Sequence, residues 1–252
     1  MKDQLEVIIL SQENYRESDV LLKVITKEYG LLTFVAKGLN KMASKNRVGT
    51  LVYSSSLFMF DFKERSDIQS LQNAQVISNR YHITENLEKS SVAALVSELV
   101  VQLLKHENDQ EIISDVYDFI NKLFERLNHS EKFTHLLVYA MVYFLNHFGI
   151  LPHVDACLMC DGTLINSFSM SEGGFICSDC QKEIHSPIIE SSLLKEFRAI
   201  VKLNEDKLDA FLNYPKIDYN NVKRLFDFYV FHTGNPLNSW DFIDKYTIIK
   251  KL

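Results

Sequence analysis

The hydrophobic period of this chain changes once, near residue 80, and that change limits the fold more than any other feature. Before it, apolar residues come in short runs bounded by polar and turn-forming residues, the pattern of half-buried strands. The runs are Leu5–Leu10, Asp19–Thr26, Leu31–Ala36, Leu57–Phe62 and Ile68–Ile77. Lys27–Gly30 separates the second from the third, with Gly30 free to take a positive φ, so those two read as a hairpin. Five short strands without a clear helix fit a small barrel, which closes its own edges. Beyond residue 80 the spacing becomes 3.6. Leu87–Lys105 puts Val92, Leu95, Val96, Leu99 and Leu103 on one helix face, and Glu111–Leu127 does the same with Ile113, Val116, Ile120, Leu123 and Leu127. A third helix is expected from Ser130, as N-cap, through Phe148, with Gly149 and Pro152 ending it. Helical patterns return at Ser192–Leu203, Asp206–Leu212 and Tyr219–Thr233, the last stopped by Gly234 and Pro236. The expected organisation is a barrel over residues 1–80 followed by a helical domain over 81–252, an α+β multidomain chain.

All four cysteines fall in one segment, as Cys157-x2-Cys160 and Cys177-x2-Cys180 separated by sixteen residues. A two-residue spacer lets both thiolates of a pair reach one ion from a tight knuckle, and two knuckles complete a tetrahedron. Phe168–Ile176 between them reads as a hairpin turning at Gly173-Gly174. Four thiolates close a coordination sphere, so one structural Zn2+ in a module at about residues 153–185 is expected. Two disulfides or an iron–sulfur cluster are the alternatives, and His153 and His185 stand near enough in sequence to replace a ligand.

Seventeen Phe, eleven Tyr and 46% apolar residues exclude disorder, and eight Gly with four Pro exclude collagen-like and low-complexity chains. No apolar run approaches the roughly 18 residues of a membrane span. The opening MKDQLEVIILSQENY is too short in its apolar part and too acidic for a leader, so the expected address is the cytosol, with no membrane partner.

The net charge of −6 argues against a general polyanion binder, but it is unevenly spread: residues 1–78 carry +1 and the remainder −7. Lys37, Lys41, Lys45 and Arg47 stand within eleven residues that hold no acid, a local field able to neutralise phosphates. The same stretch also reads as a plain solvated loop. Tyr15 and Tyr53, near expected loops, are candidates for stacking on bases, whereas Phe58, Phe60 and Phe62 read as barrel core. HExxH, GxSxG and phosphate-loop motifs are all missing, and the eight His are scattered; His135 and His147 read as surface or satisfied core residues. No catalytic residue or small-molecule substrate is assigned.

Four stretches together resemble one family. They are Tyr15-Arg16-Glu17-Ser18-Asp19 leading to Val35-Ala36-Lys37-Gly38; Leu136–Ala140 through Gly149-Ile150-Leu151-Pro152 into the first cysteine pair; Phe168-Ser169 with Gly173-Gly174 before the second; and His232 to Ser239. In order and nearly chain-long, they are similar to the RecO family of bacterial recombination mediators. Two departures stand out: Asp161 precedes Gly162 after the first pair, and Leu39-Asn40 stands where more basic residues are expected. The first leaves metal binding intact; the second thins the basic patch. The resemblance implies an N-terminal OB-fold barrel, then an all-α domain with an inserted four-cysteine zinc module. It further implies binding of single- and double-stranded DNA, annealing of complementary strands, a nucleoid-associated location, and RecR and single-stranded-DNA-binding protein as partners that together help RecA. On that reading Lys37, Lys41, Lys45 and Arg47 hold the phosphate backbone, flanked by Arg16 and Lys23 as weaker candidates, and the helical domain docks a partner at an apolar groove rimmed by cations, near which Lys122, Arg126 and Lys132 stand without any one being singled out. The rival classes are a nucleic-acid-processing enzyme and a protein adaptor that never touches DNA.

Overall fold

The computed structural model describes residues 3–63 and 66–245. They fall into two compact units that part between Glu131 and Lys132.

The first unit opens with strands β1 (Asp3–Asn14), β2 (Val20–Thr26), β3 (Gly30–Ala36), β4 (Ser55–Phe60) and β5 (Ile68–Ser78), closed in the order β1-β2-β3-β5-β4. β1 is long enough to pair antiparallel with β2 along its second half (Asn14 opposite Val20) and with β4 along its first (Asp3 opposite Phe60), and it bulges between Ile9 and Ser11. β3 runs parallel to β5, with Thr33 opposite Ile68. One parallel pairing in an otherwise antiparallel five-strand barrel is the OB-fold arrangement. Alternation decides what lies inside: Val20, Leu22 and Val24 of β2 point into the barrel and Leu21 and Lys23 away from it. The core centres on Phe34, which meets Phe58 and Phe60 edge-on at 5.1 and 4.9 Å. Phe62 leaves that core; it is exposed and stacks on Tyr29 at 5.8 Å.

Helices α1 (Tyr81–Glu85), α2 (Leu87–Leu104) and α3 (Gln110–His129) complete this unit. Asn86 caps α2 by accepting from the Lys89 amide, and Asp109 caps α3 by accepting from the Glu111 amide. Ser130 does not open the next helix. Its amide donates to the Arg126 carbonyl, so it closes α3 instead.

In the second unit α4 (Phe133–His147) starts without a side-chain cap and is buried around almost its whole circumference. The hairpin β6 (Ile165–Ser169) and β7 (Gly174–Cys177) follows, then α5 (Ser178–Ile184), α6 (Ser191–Val201), α7 (Glu205–Leu212), α8 (Tyr219–Thr233) and α9 (Asn238–Lys245). Phe168 of β6 packs against Phe197 and Phe228 at 5.1 and 5.7 Å, which fixes the hairpin to α6 and α8. Phe226 stacks face to face on Trp240 at 3.8 Å, holding α9 against α8. His135 is a satisfied core histidine: it is buried, with Nε2 3.2 and 3.1 Å from the Tyr214 and Pro215 carbonyls. Among the described residues no helix is long and apolar enough to cross a membrane.

Candidate nucleic-acid interface and metal centre

The basic stretch forms the connection between β3 and β4. Its two ends are fastened. At the near end the Gly38 amide donates to Asp19 Oδ1 (2.8 Å), the Asn40 amide to the Ser18 carbonyl (3.1 Å), and Leu39 is buried in the barrel core. At the far end Asn46 Oδ1 accepts from the Ala74 amide of β5 (3.0 Å), and its Nδ2 donates to the Gln72 carbonyl. Beyond it a 3-10 turn over Val48–Thr50 lies flat on β5, where a Cβ on Gly49 would stand 2.4 Å from the Ala74 carbonyl oxygen. Anchors that face inward leave the cations outward. Lys37, Lys41, Lys45 and Arg47 are all exposed, and among the described residues none of the four forms an ion pair with a carboxylate. Arg47 donates to the Lys41 carbonyl at 3.2 Å, tying the loop across itself.

Arg16 stands in a neighbouring turn. It lies in the turn between β1 and β2, with its guanidinium 5.0 Å from the Tyr15 ring centre, and the side chains of Asn14 and Asn40 bond this turn to the basic loop. Lys23 is not brought to the loop; it is half-buried on the outer wall of β2, between Ser11 and Thr33. Tyr15 is exposed, as a stacking residue must be. Tyr53 is not. It is buried edge-on against Phe124 at 5.5 Å, and burial pushes its phenol up to about 12, so it belongs to the packing between barrel and α3. Its carbonyl accepts from Arg80, a cation with a 2% exposed side chain that the sequence did not single out.

The four cysteines gather as the sequence requires. Their sulfurs all lie within 4.8 Å of one another, with Cys160 and Cys177 at 3.6 Å, and no disulfide joins them. A tetrahedral ion with sulfur ligands at about 2.3 Å separates them by about 3.8 Å, so the donor set fits a metal. The first knuckle is shaped by backbone bonds: the Cys157 amide to the Gly162 carbonyl and the Asp161 amide to the Cys157 carbonyl, both 2.9 Å, with Asp161 at φ 58°. Asp161 therefore takes the left-handed corner of the turn, while Gly162 packs under the Cys160 sulfur. β7 ends on Cys177, and α5 carries Cys180. Upstream, Arg198 of α6 and Lys202 just beyond its end hold Asp155 at 3.1 and 2.5 Å. Burial works against ionising Cys157, but hydrogen bonds from the backbone of Cys177, Met159 and Cys160 outweigh it and bring the thiol down to about 7. A backbone bond from Gly162 favours the Cys160 thiolate, but the sulfurs of Cys177 and Cys157 push that thiol up, and the crowded sulfurs of Cys160 and Cys177 push Cys180 up as well. Four sulfurs this close together are accommodated as thiolates by a cation at their centre. Among the described residues this is the only such group; neither His153 nor His185 belongs to it.

Fold and site together define an OB-fold barrel with a cationic loop, followed by a helical body that carries a four-thiolate cluster. The family model described as Recombination protein O N terminal matches residues 1–80, and that described as Recombination protein O C terminal matches residues 84–241. Similar proteins include the DNA repair protein RecO of Bacillus velezensis, 23% identical over 257 residues and covering 100% of this chain and 98% of that one. The same-named proteins of Halalkalibacterium halodurans (22% identical; 97% of this chain, 95% of the relative) and Listeria monocytogenes strain F2365 (25% identical; 96% and 93%) align almost as fully. The chain belongs to the RecO family, whose relatives named here are DNA repair proteins.

Proposed function

We propose that this protein is a non-enzymatic recombination mediator. It binds single- and double-stranded DNA, anneals complementary strands, and helps load RecA onto DNA coated by single-stranded-DNA-binding protein, together with RecR. The observation that carries the reading is the anchored loop that turns Lys37, Lys41, Lys45 and Arg47 outward from an OB-fold barrel, with Arg16 beside it. Backbone contacts of this kind suit annealing, because they hold a strand while leaving base edges free to pair. Lys23 contributes from the barrel wall. The helical unit docks protein partners and carries one structural Zn2+ on Cys157, Cys160, Cys177 and Cys180, an ion whose closed thiolate shell leaves no position for catalysis. The working location is the bacterial cytoplasm, on the nucleoid. The net charge of −6 favours a second reading, an adaptor that meets only proteins.

The test is annealing of two complementary oligonucleotides coated with the cognate single-stranded-DNA-binding protein, without nucleotide. Acceleration by the wild type supports the mediator. Replacing all four loop cations by Ala should weaken single-strand binding and reduce its salt slope by about 0.7 for each phosphate that is no longer neutralised. An unchanged slope refutes the loop assignment, and no DNA binding at all leaves the adaptor.

A further inference from the structure

The basic loop presents one residue that phosphate binding does not explain. The Ser44 amide donates to the Lys41 carbonyl at 3.0 Å, so Lys41–Ser44 is a turn with Met42 at its tip. Met42 is 95% exposed, the most exposed of the large apolar side chains described. The turn is held on both sides. The Lys41 amide is bonded to the Gly38 carbonyl, its carbonyl is also held by Arg47, and the chain is pinned by Leu39 before it and Asn46 after it. The methionine is thus presented on a fastened support, between the outward cations Lys41 and Lys45.

We infer that Met42 is a wedge that inserts between neighbouring bases of DNA held by the loop. This rests on the DNA-binding reading above. A ligand that satisfies the whole turn must offer anionic groups to the rim of cations and an apolar surface to the tip. DNA offers both, phosphates outside and base faces within, and apolar side chains, methionine among them, open base steps in this way. Methionine suits the role because its flexible thioether adapts to whatever step it enters. Met42, even with the exposed Val48 further along the connection, is too little to anchor a protein in a bilayer, which takes a wide apolar face. The wedge adds a function that cations lack: it unstacks bases at the point of contact and so frees each base to turn toward a complementary one.

The test uses the full-length protein and oligonucleotides carrying 2-aminopurine, whose fluorescence rises on unstacking. Wild-type protein should raise the signal on single strands at saturation. Met42→Ala should abolish the rise and weaken binding about tenfold, while leaving the salt slope unchanged, and Met42→Leu should restore both. A rise that persists in Met42→Ala with affinity intact overturns the wedge while leaving the phosphate loop standing. An unchanged salt slope in the quadruple cation variant, together with no rise for the wild type, overturns both. Binding to phosphatidylglycerol vesicles that Met42→Ala weakens, without any 2-aminopurine response to DNA, overturns it in favour of a membrane surface.

Discussion

Arg80 gives the sharpest test of how the barrel is built into its unit. It stands two residues beyond the end of β5, where a charged residue in sequence reads as solvent-facing, yet its side chain is 2% exposed. Its guanidinium donates to the Tyr53 carbonyl at 2.7 Å, to the Asn121 carbonyl and side chain, and to Glu125 at 3.3 Å. Three segments far apart in sequence therefore converge on one cation: the entry to β4, the end of β5 and the middle of α3. Burial lowers its pKa from the ordinary value, and Glu125 opposes that shift. Hydrogen bonds from a charged donor are worth roughly 1.5–3 kcal/mol each when buried. The Tyr53 and Asn121 bonds are of that kind, whereas Glu125 is half exposed and adds under about 1 kcal/mol. Part of the gain is returned as desolvation relief when the cation is removed, so Arg80→Ala should destabilise the unit by about 3–5 kcal/mol. For a body of this size that is a loss of about 10–15 °C in melting temperature. Arg80→Lys keeps the charge but cannot fork to several acceptors, and should recover less than half the loss. Glu125→Gln should cost under about 1 kcal/mol. The assay is urea unfolding followed by circular dichroism, with Tyr53→Phe as the control that leaves the backbone carbonyl in place. A loss below about 1 kcal/mol in Arg80→Ala would refute the convergence argument.

Three further outcomes are expected. Gly49→Ala places a Cβ 2.4 Å from a backbone oxygen that no side-chain motion can move, and should cost about 1–3 kcal/mol in thermal or urea unfolding; wild-type stability would contradict the close approach. Burial lowers the His135 pKa, against the Pro215 and Tyr214 carbonyls that favour the charged ring, with Lys132 lowering it and Glu196 raising it further. The unfolded chain then binds more protons, so the stability this group contributes is complete above pH 6.5 and declines as pH falls below it. His135→Gln should flatten stability between about pH 7 and pH 5, and an unchanged pH profile would dispose of the argument. Cys157→Ser should reduce the metal content, measured by mass spectrometry of desalted protein, from one ion per chain to near none and lower the melting temperature; a full ion in the variant would mean that the buried cysteine is not a ligand.

What the sequence carried and what it concealed divide along physical lines. The strands were legible because one face of each is buried and alternation records that, as in Val20, Leu22 and Val24. The cysteine cluster was legible because its geometry is almost wholly local: two tight knuckles and one hairpin. Exposure of single residues was not. Tyr53 and Tyr15 look alike between runs of apolar residues, but only Tyr53 has Phe124, some seventy residues away, to cover it. Arg80 went unnoticed for the same reason, since nothing in its neighbourhood records that Asn121 will be opposite. Ser130 misled because a capping residue fits either end of a helix; the Arg126 carbonyl claimed its amide, and α3 ended where α4 was expected to begin. The short helices α1 and α5 hold too few turns for a period to show.

The position of the cations follows from the same anchors that keep the loop from slipping. A loop of this composition without Leu39 in the core and Asn46 on β5 would be a mobile chain of lysines, and each contact with DNA would cost the entropy of ordering it. Pinned at both ends, it presents its charges and its apolar tip with much of that cost already met. Removing an anchor should therefore act differently from removing a charge. Asn46→Ala breaks two bonds to β5 and changes no charge, so it should weaken DNA binding while the salt slope stays at the wild-type value. Loss of a loop cation should lower affinity and slope together. Titrations at several salt concentrations separate the two cases, and wild-type affinity in Asn46→Ala would show that the anchors do not preorganise the loop.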